Sequence, residues 1–524
     1  MTRAKKQNPP GTIAVDWRQL RATAVVLLVA LATSGPIPAA QGAASEEIVM
    51  TEHQMVLGGR TLKYTARAGL LPIRDNETGD VHAHTFFVAY TLDRLPGQPP
   101  RPLMFIWNGG PGMNSSLIHL LGFGPKRVKT GDVYPTSPPL SETEMVDNQE
   151  TWLDWADLVF VDPVGTGYSR PTKAEYASEF YQTAGDAEAV TEFIRVYRVR
   201  FDAWDAPLFI VGHSYGTTRA MAMSEILVRR GIDVKGIALL SGGFAVGQEP
   251  FPPGVETALA LPGMTAAAFY HKKLAAELQR DLDAALKEAE AWALKEYAPA
   301  IAKADALGEP ERDAVLRGLS RYSGLPVSAL DRKTMVVDRN QFRSQLLPNT
   351  AVGRYDARMT RPGTVGTEVM DVVRDPSFAP VLGLVQGTSP LLNRYLRTEL
   401  QFKSDLLYQG PLGGGYPPAQ MIMLRFVRDQ GTPDRQPPLR RALEANPTLR
   451  VFVARGLYDS GSCFSHAYAV KHLHPSLARR VSMACYGAGH DFYSDKAVRQ
   501  QIKGDMKKFV QQTLAGASST TSPE

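Results

Sequence analysis

Pro207-Leu208-Phe209-Ile210-Val211-Gly212-His213-Ser214-Tyr215-Gly216-Thr217-Thr218-Arg219-Ala220-Met221 passes from a short apolar run, through a turn, into a helix-like segment. A serine raised on such a strand-to-helix turn needs small residues two places to either side. Larger side chains would collide where the backbone folds back, and the helix start leaves a free N–H beside the reacting atoms. Gly212 and Gly216 meet that requirement, so the stretch reads as a nucleophile elbow with Ser214 at its tip.

A serine nucleophile needs a base, an acid to orient the base, and donors for the oxyanion. Arg480-Val481-Ser482-Met483-Ala484-Cys485-Tyr486 reads as a strand that ends in Gly487-Ala488-Gly489-His490, which places His490 on a glycine-rich loop. Leu449 to Ala454 reads as an earlier strand, and Asp459 lies just past its end. The order Ser214, Asp459, His490 is that of α/β-hydrolases. Asp491 competes with Asp459 only by proximity, since a residue next to the histidine does not readily turn back onto its Nδ1. Near the front, Pro102 to Trp107 reads as a strand followed by Asn108-Gly109-Gly110-Pro111-Gly112, a loop whose N–H groups suit a developing oxyanion.

These segments together resemble the serine carboxypeptidase family, the S10 peptidases. The matching motifs are Asn108 to Gly112 with Ser115-Ser116 and Gly124-Pro125; Asp147-Asn148 with Trp152; Asp162-Pro163-Val164-Gly165-Thr166-Gly167-Tyr168-Ser169; the elbow; Gly456 to Asp459; and Gly487 to His490. They run in family order from about residue 55 to 510. Gly353-Arg354-Tyr355-Asp356-Ala357-Arg358 and Ser214 to Arg219 look like the bacterial branch. The resemblance implies Ser214 as nucleophile, His490 as base and Asp459 as its partner. It implies an oxyanion hole from the N–H groups of Gly110 and Tyr215, and Asn108 and Gly109 holding a substrate's terminal carboxylate.

The chain departs from the family where two glutamates assist that carboxylate: His213 and Gly122 stand there. A glutamate facing a carboxylate binds it well only when the two share a proton, whereas histidine can donate to it directly. His213 therefore either reads the carboxylate with Asn108 or packs beside the elbow. The expected activity is a serine carboxypeptidase-like peptidase acting on peptides. An esterase, an aminopeptidase or an acyltransferase on the same fold, and an inactive binding protein, stand as alternatives.

The 524 residues are enough for one large domain with an insertion. Residues 1–42 carry Arg3, Lys5, Lys6, Arg18 and Arg21 against Asp16, followed by the apolar run Ala22 to Ala32 and the small-residue site Ala40-Gln41-Gly42. That pattern reads as a secretory signal peptide, too short in its apolar part to span a membrane stably, so the mature protein is expected to be periplasmic or secreted. Removing it takes the formal net charge from +5 to +1, and nothing then points to nucleic acid. Export allows a disulfide between Cys463 and Cys485, with two buried thiols as the alternative.

Strands are expected at Leu103 to Trp107, Asp157 to Val161, Leu208 to Val211, Ile237 to Leu240, Val451 to Ala454 and Val481 to Cys485, the late ones covered on both faces as in a parallel sheet. The predicted architecture is an α/β-hydrolase fold with a mostly parallel central sheet. Its core lies at 45–245 and 446–514, with an inserted, mainly helical cap at 246–445. Helical segments are expected over Thr265 to Ala306, Glu311 to Tyr322 and Leu391 to Leu407, and a disordered tail at 515–524. No cofactor is expected. His472 and His474 lack carboxylate or cysteine companions at ligand spacing, so no metal is expected, and Gly413-Gly414-Gly415 lacks the Lys and Ser/Thr of a phosphate loop. Oligomeric state is open.

Overall fold

The computed structural model describes residues 48–93, 97–130, 144–246, 250–365, 375–377, 389–410, 436–459 and 463–518. The expected signal peptide at 1–42, Gly413 to Gly415 and the last six residues of the expected tail lie outside them. Nine strands form the main sheet: β1 (Ile48–Leu57), β2 (Arg60–Arg74), β3 (Val81–Leu92), β4 (Leu103–Trp107), β5 (Asp157–Val161), β6 (Leu208–His213), β7 (Val234–Leu240), β8 (Arg450–Gly456) and β9 (Val481–Tyr486). Their order is β1-β2-β3-β5-β4-β6-β7-β8-β9, with a two-residue strand at Arg170–Pro171 pairing β3. The first three pairings are antiparallel and the remainder parallel.

The central strands are apolar on both sides because both faces are covered. In β6, Leu208 and Ile210 join the core formed with helices α1 (Thr183–Arg200) and α2 (Tyr215–Arg229). Phe209 points the other way, where its ring meets Phe509 of the C-terminal helix. Gly236 of β7 leaves room for that contact, since a Cβ there would stand 2.6 Å from the Phe209 ring. Every residue of β4 and β6 is buried, and each large apolar side chain removed from water contributes about 1.5–3 kcal/mol.

Three expectations are corrected. β9 is not covered on both faces: it ends the sheet with one neighbour, and Ser482 and Cys485 are exposed. The helix expected over Leu391 to Leu407 stops at Glu399, and irregular chain follows. The final helix, Lys496–Ser518, runs into the residues expected to be a disordered tail, and Gly516 lies against the Arg450 guanidinium.

Between β7 and β8 the described chain is mainly helical, with α3 (Leu261–Tyr270), α4 (Leu282–Trp292) and α5 (Glu309–Ser323). These elements bury Met264, Ala289, Leu316, Leu319 and Phe342 in a core of their own, distinct from the core of the sheet. Asp281 starts α4 by accepting from the Ala284 N–H, and Gly324 ends α5 in the left-handed conformation.

Candidate active site

Ser214 stands between β6 and α2 at φ +59°, ψ −127°, a conformation that costs an L-residue energy and persists only when its surroundings enforce it. The enforcement is visible in the contacts. A Cβ at Gly212 would lie 2.1 Å from the Gly216 carbonyl oxygen, and one at Gly216 would lie 2.7 Å from the Trp107 ring. The Ser214 N–H donates to the Leu240 carbonyl at 2.8 Å, and the Thr217 N–H and hydroxyl close the turn onto the Ser214 carbonyl.

The glycine loop after β4 lies directly on this turn. A Cβ at Gly109 would be 2.4 Å from the Tyr215 nitrogen and 2.7 Å from the His213 carbonyl, and Gly110 is left-handed at φ +101°. Gly110 and Tyr215, expected to supply the oxyanion donors, therefore belong to segments in van der Waals contact. The loop is fixed from behind. Trp107 Nε1 donates to the Gly216 carbonyl at 3.0 Å, and Arg219, in a buried pair with Asp186, donates to the Asn108 carbonyl at 3.1 Å. Further along, Asp162 accepts from the Ser115 N–H and hydroxyl at 2.8 and 2.7 Å, and its burial raises its pKa to about 6.

Asp459 follows β8 and His490 follows β9, the two outer parallel strands beyond β7. His490 Nδ1 donates to Asp459 Oδ2 at 2.9 Å, which leaves Nε2 as the unprotonated nitrogen of the neutral ring. Asp459 also receives Arg455 Nη2 at 3.3 Å, while Arg455 Nη1 donates to the Gly242 carbonyl at 2.5 Å. The main chain of His490 is held at both ends: its N–H donates to Tyr355, and its carbonyl accepts from Ser241 Oγ at 2.6 Å and His213 Nε2 at 3.1 Å. Burial disfavours the imidazolium, but the charges of Asp459 and Asp491 and the hydrogen bond to Asp459 outweigh it, so the His490 pKa is raised.

His213 and Asn108 are 2 % and 1 % exposed. Asn108 Nδ2 lies 3.2 Å from His213 Nδ1 and donates to the Tyr493 hydroxyl, also at 3.2 Å, and its Oδ1 accepts from the Ile118 N–H. His213 Nε2 faces the His490 carbonyl and, at 3.5 Å, Asp491 Oδ1. Both ring nitrogens of His213 thus have protein partners. Burial, with a contribution from the charge of His490, lowers its pKa to about 4 and keeps it neutral. Gly122, at the second glutamate position, is buried against the Tyr493 ring.

Five contributors escaped the sequence reading: Arg455, Ser241, Tyr355, Tyr493 and Asp491 in its observed place. Tyr355 lies inside a segment already quoted as a motif and Arg455 directly before another, but nothing in a linear pattern shows that Arg455 reaches the Gly242 carbonyl or that the Tyr355 carbonyl meets the His490 N–H. Cys463 and Cys485 form a disulfide with Cα atoms 6.1 Å apart. His474 starts a short helix by accepting from the Ser476 N–H, and among the described residues no cluster of His, Cys, Asp and Glu has the arrangement of a metal site.

Residues 59–310 match the family model for serine carboxypeptidases, Peptidase_S10. The chain is 24 % identical over 229 residues to the pheromone-processing carboxypeptidase KEX1 of Tuber melanosporum, a match covering 36 % of this chain and 33 % of that protein. It is 30 % identical over 146 residues to the protein of the same name from Yarrowia lipolytica, covering 27 % and 22 %. The chain thus spans about a third or less of the length of these curated relatives. Among solved structures, the KEX1 prohormone-processing carboxypeptidase of Saccharomyces cerevisiae superposes with a TM-score of 0.51 at 16 % identity, over 86 % of this chain and 91 % of that one, a likeness of fold. Over residues 59–310 the chain is thus similar to the serine carboxypeptidases, and its fold is that of the α/β-hydrolases.

Proposed function

We propose that the protein is an exported serine carboxypeptidase-like peptidase, releasing C-terminal residues from peptides through an acyl-enzyme. The observation that carries this is the 2.9 Å hydrogen bond from His490 to Asp459, on loops packed against an elbow that holds Ser214 at positive φ. Ser214 Oγ attacks the carbonyl carbon of the last peptide bond as His490 Nε2 takes its proton. The oxyanion is held by the N–H groups of Gly110 and Tyr215, and the imidazolium is held by Asp459. Collapse breaks the C–N bond, and His490 returns the proton to the departing amine. Water then attacks the acyl-enzyme with the same proton traffic, freeing the shortened peptide and Ser214.

The helical segment within 246–445 serves as a cap over this cleft, in keeping with its place beside the carboxyl ends of β7 and β8. The disulfide suits an exported protein, and periplasmic or secreted residence follows from the signal-like leader. The matched relatives named above are fungal; placement in the bacterial branch rests on Ser214 to Arg219 and on Gly353 to Arg358, whose Tyr355 carbonyl accepts from the His490 N–H.

One observation favours a second reading. With Asn108 and His213 paired to each other and buried, His213 acts as a clamp on the base loop, and Gly109 remains to meet a terminal carboxylate. That arrangement suits an esterase equally well. The deciding experiment compares hydrolysis of an N-blocked dipeptide bearing a free C-terminal carboxylate with that of its amide across pH, with Ser214→Ala as control. Preferential, Ser214-dependent cleavage of the free acid is expected. Cleavage of neither, with a simple ester still hydrolysed, would make the protein an esterase.

A further inference from the structure

We infer that Asp491 is a positioning residue for the base, a second carboxylate near His490 besides Asp459 that, with Tyr493 and His213, sets how readily His490 holds a proton. The inference rests on the reading of His490 as the general base.

Its side chain is 6 % exposed, an unusual place for a carboxylate without a task. It does not touch His490 Nδ1, which belongs to Asp459. Instead Oδ1 accepts from the Tyr493 hydroxyl at 3.0 Å and faces His213 Nε2 at 3.5 Å. Tyr493 in turn receives Asn108 Nδ2, and Asn108 reaches back to His213 Nδ1. The ring Asp491, Tyr493, Asn108, His213 thus joins the base loop, the glycine loop and the residue before the nucleophile. The His213 and His490 rings are 4.9 Å apart, so a charge on Asp491 lies beside both.

Around His490 stand Asp459 and Arg455 from β8 and its loop, His213 at the end of β6, Ser241 after β7, Tyr355 from the segment before β8, and Asp491 with Tyr493 from its own loop. Of these, Arg455 opposes protonation and the two aspartates favour it, while His213 is neutral. Asp491 is therefore the carboxylate in this shell that tunes the base without also holding its tautomer.

The test is the pH dependence of kcat/KM for a simple aryl ester, with the rate of fluorophosphonate labelling of Ser214 as a substrate-independent reading. Asp491→Asn keeps the shape and an acceptor oxygen but removes the charge. Its acid limb should move to lower pH by about one unit, giving an about ten-fold higher rate, relative to its own plateau, well below the midpoint. Asp491→Ser removes the same charge in a smaller side chain and should move the limb the same way. It decides the matter if circular dichroism shows Asp491→Asn unfolded. A parent that reacts while the decisive limbs stay put or move upward would overturn the role of Asp491 and leave the triad standing. A parent inert to ester and fluorophosphonate would overturn the reading of Ser214 and His490, and this inference with it.

Discussion

Replacing both Cys463 and Cys485 by alanine should weaken the fold by an amount the chain geometry sets. The bridge spans a sequence separation of 22, and closing a loop of that length in the unfolded chain corresponds to about 3 kcal/mol in the chain-entropy model. Alanine at both sites avoids leaving a single reactive thiol. Because Cys463 is buried, the variant also loses some packing, so the cleaner comparison is the parent protein with and without reductant. Urea unfolding followed by tryptophan fluorescence should show a lower midpoint on reduction with an almost unchanged slope, while the double variant should not respond to reductant. The bridge joins the helix that follows the Asp459 loop, Cys463–Lys471, to the strand that delivers His490, so ester hydrolysis should fall alongside stability. Coincident unfolding curves, or two titratable thiols in the denatured, unreduced protein, would refute the reasoning.

Two further outcomes are expected. Gly109→Ala places a methyl group where the Tyr215 nitrogen and His213 carbonyl leave no room, so the loop must lift from the elbow; kcat for ester hydrolysis should drop by about 10²–10³ while the protein stays folded. His213 has a pKa lowered by burial from 6.5 to about 4, so the unfolded chain binds its proton first; stability is complete above about pH 6.5 and declines as pH falls toward 4, by up to about 3 kcal/mol. His213→Gln should flatten that part of the stability profile measured by urea unfolding, and parallel profiles would exclude the assignment.

The parallel strands were legible because each carries a short apolar run close to a turn, as at Leu103 to Trp107 and Leu208 to Val211. The antiparallel extension was not. β1 is an edge strand whose sequence mixes Thr51, Glu52, His53 and Gln54 with apolar residues, and Met50 and Val56 are exposed. One local signal was present: Gly58 and Gly59, both at positive φ, form the two-residue turn that pairs Leu57 with Arg60. Ser214, Asp459 and His490 stood out because strand ends followed by polar residues are where such sheets place chemistry. The neighbours that hold His490 were hidden for a different reason. Ser241 and His213 act on its carbonyl and Tyr355 on its N–H, and main-chain hydrogen bonds carry no side-chain signature at the receiving end.

The order of these segments along the chain also gives the molecule a clock. His213 and His490 are 277 residues apart, and the sheet reaches the base only after β8 has paired with β7 and β9 with β8. At about 5–20 residues per second of synthesis, the serine emerges roughly 15 to 55 seconds before the histidine that would activate it. On the proposed roles, the polypeptide would carry a nucleophile and no base during that interval, so a prematurely terminated product lacking the last two strands would be inert toward its surroundings, and hydrolytic power would arrive as the final act of assembly.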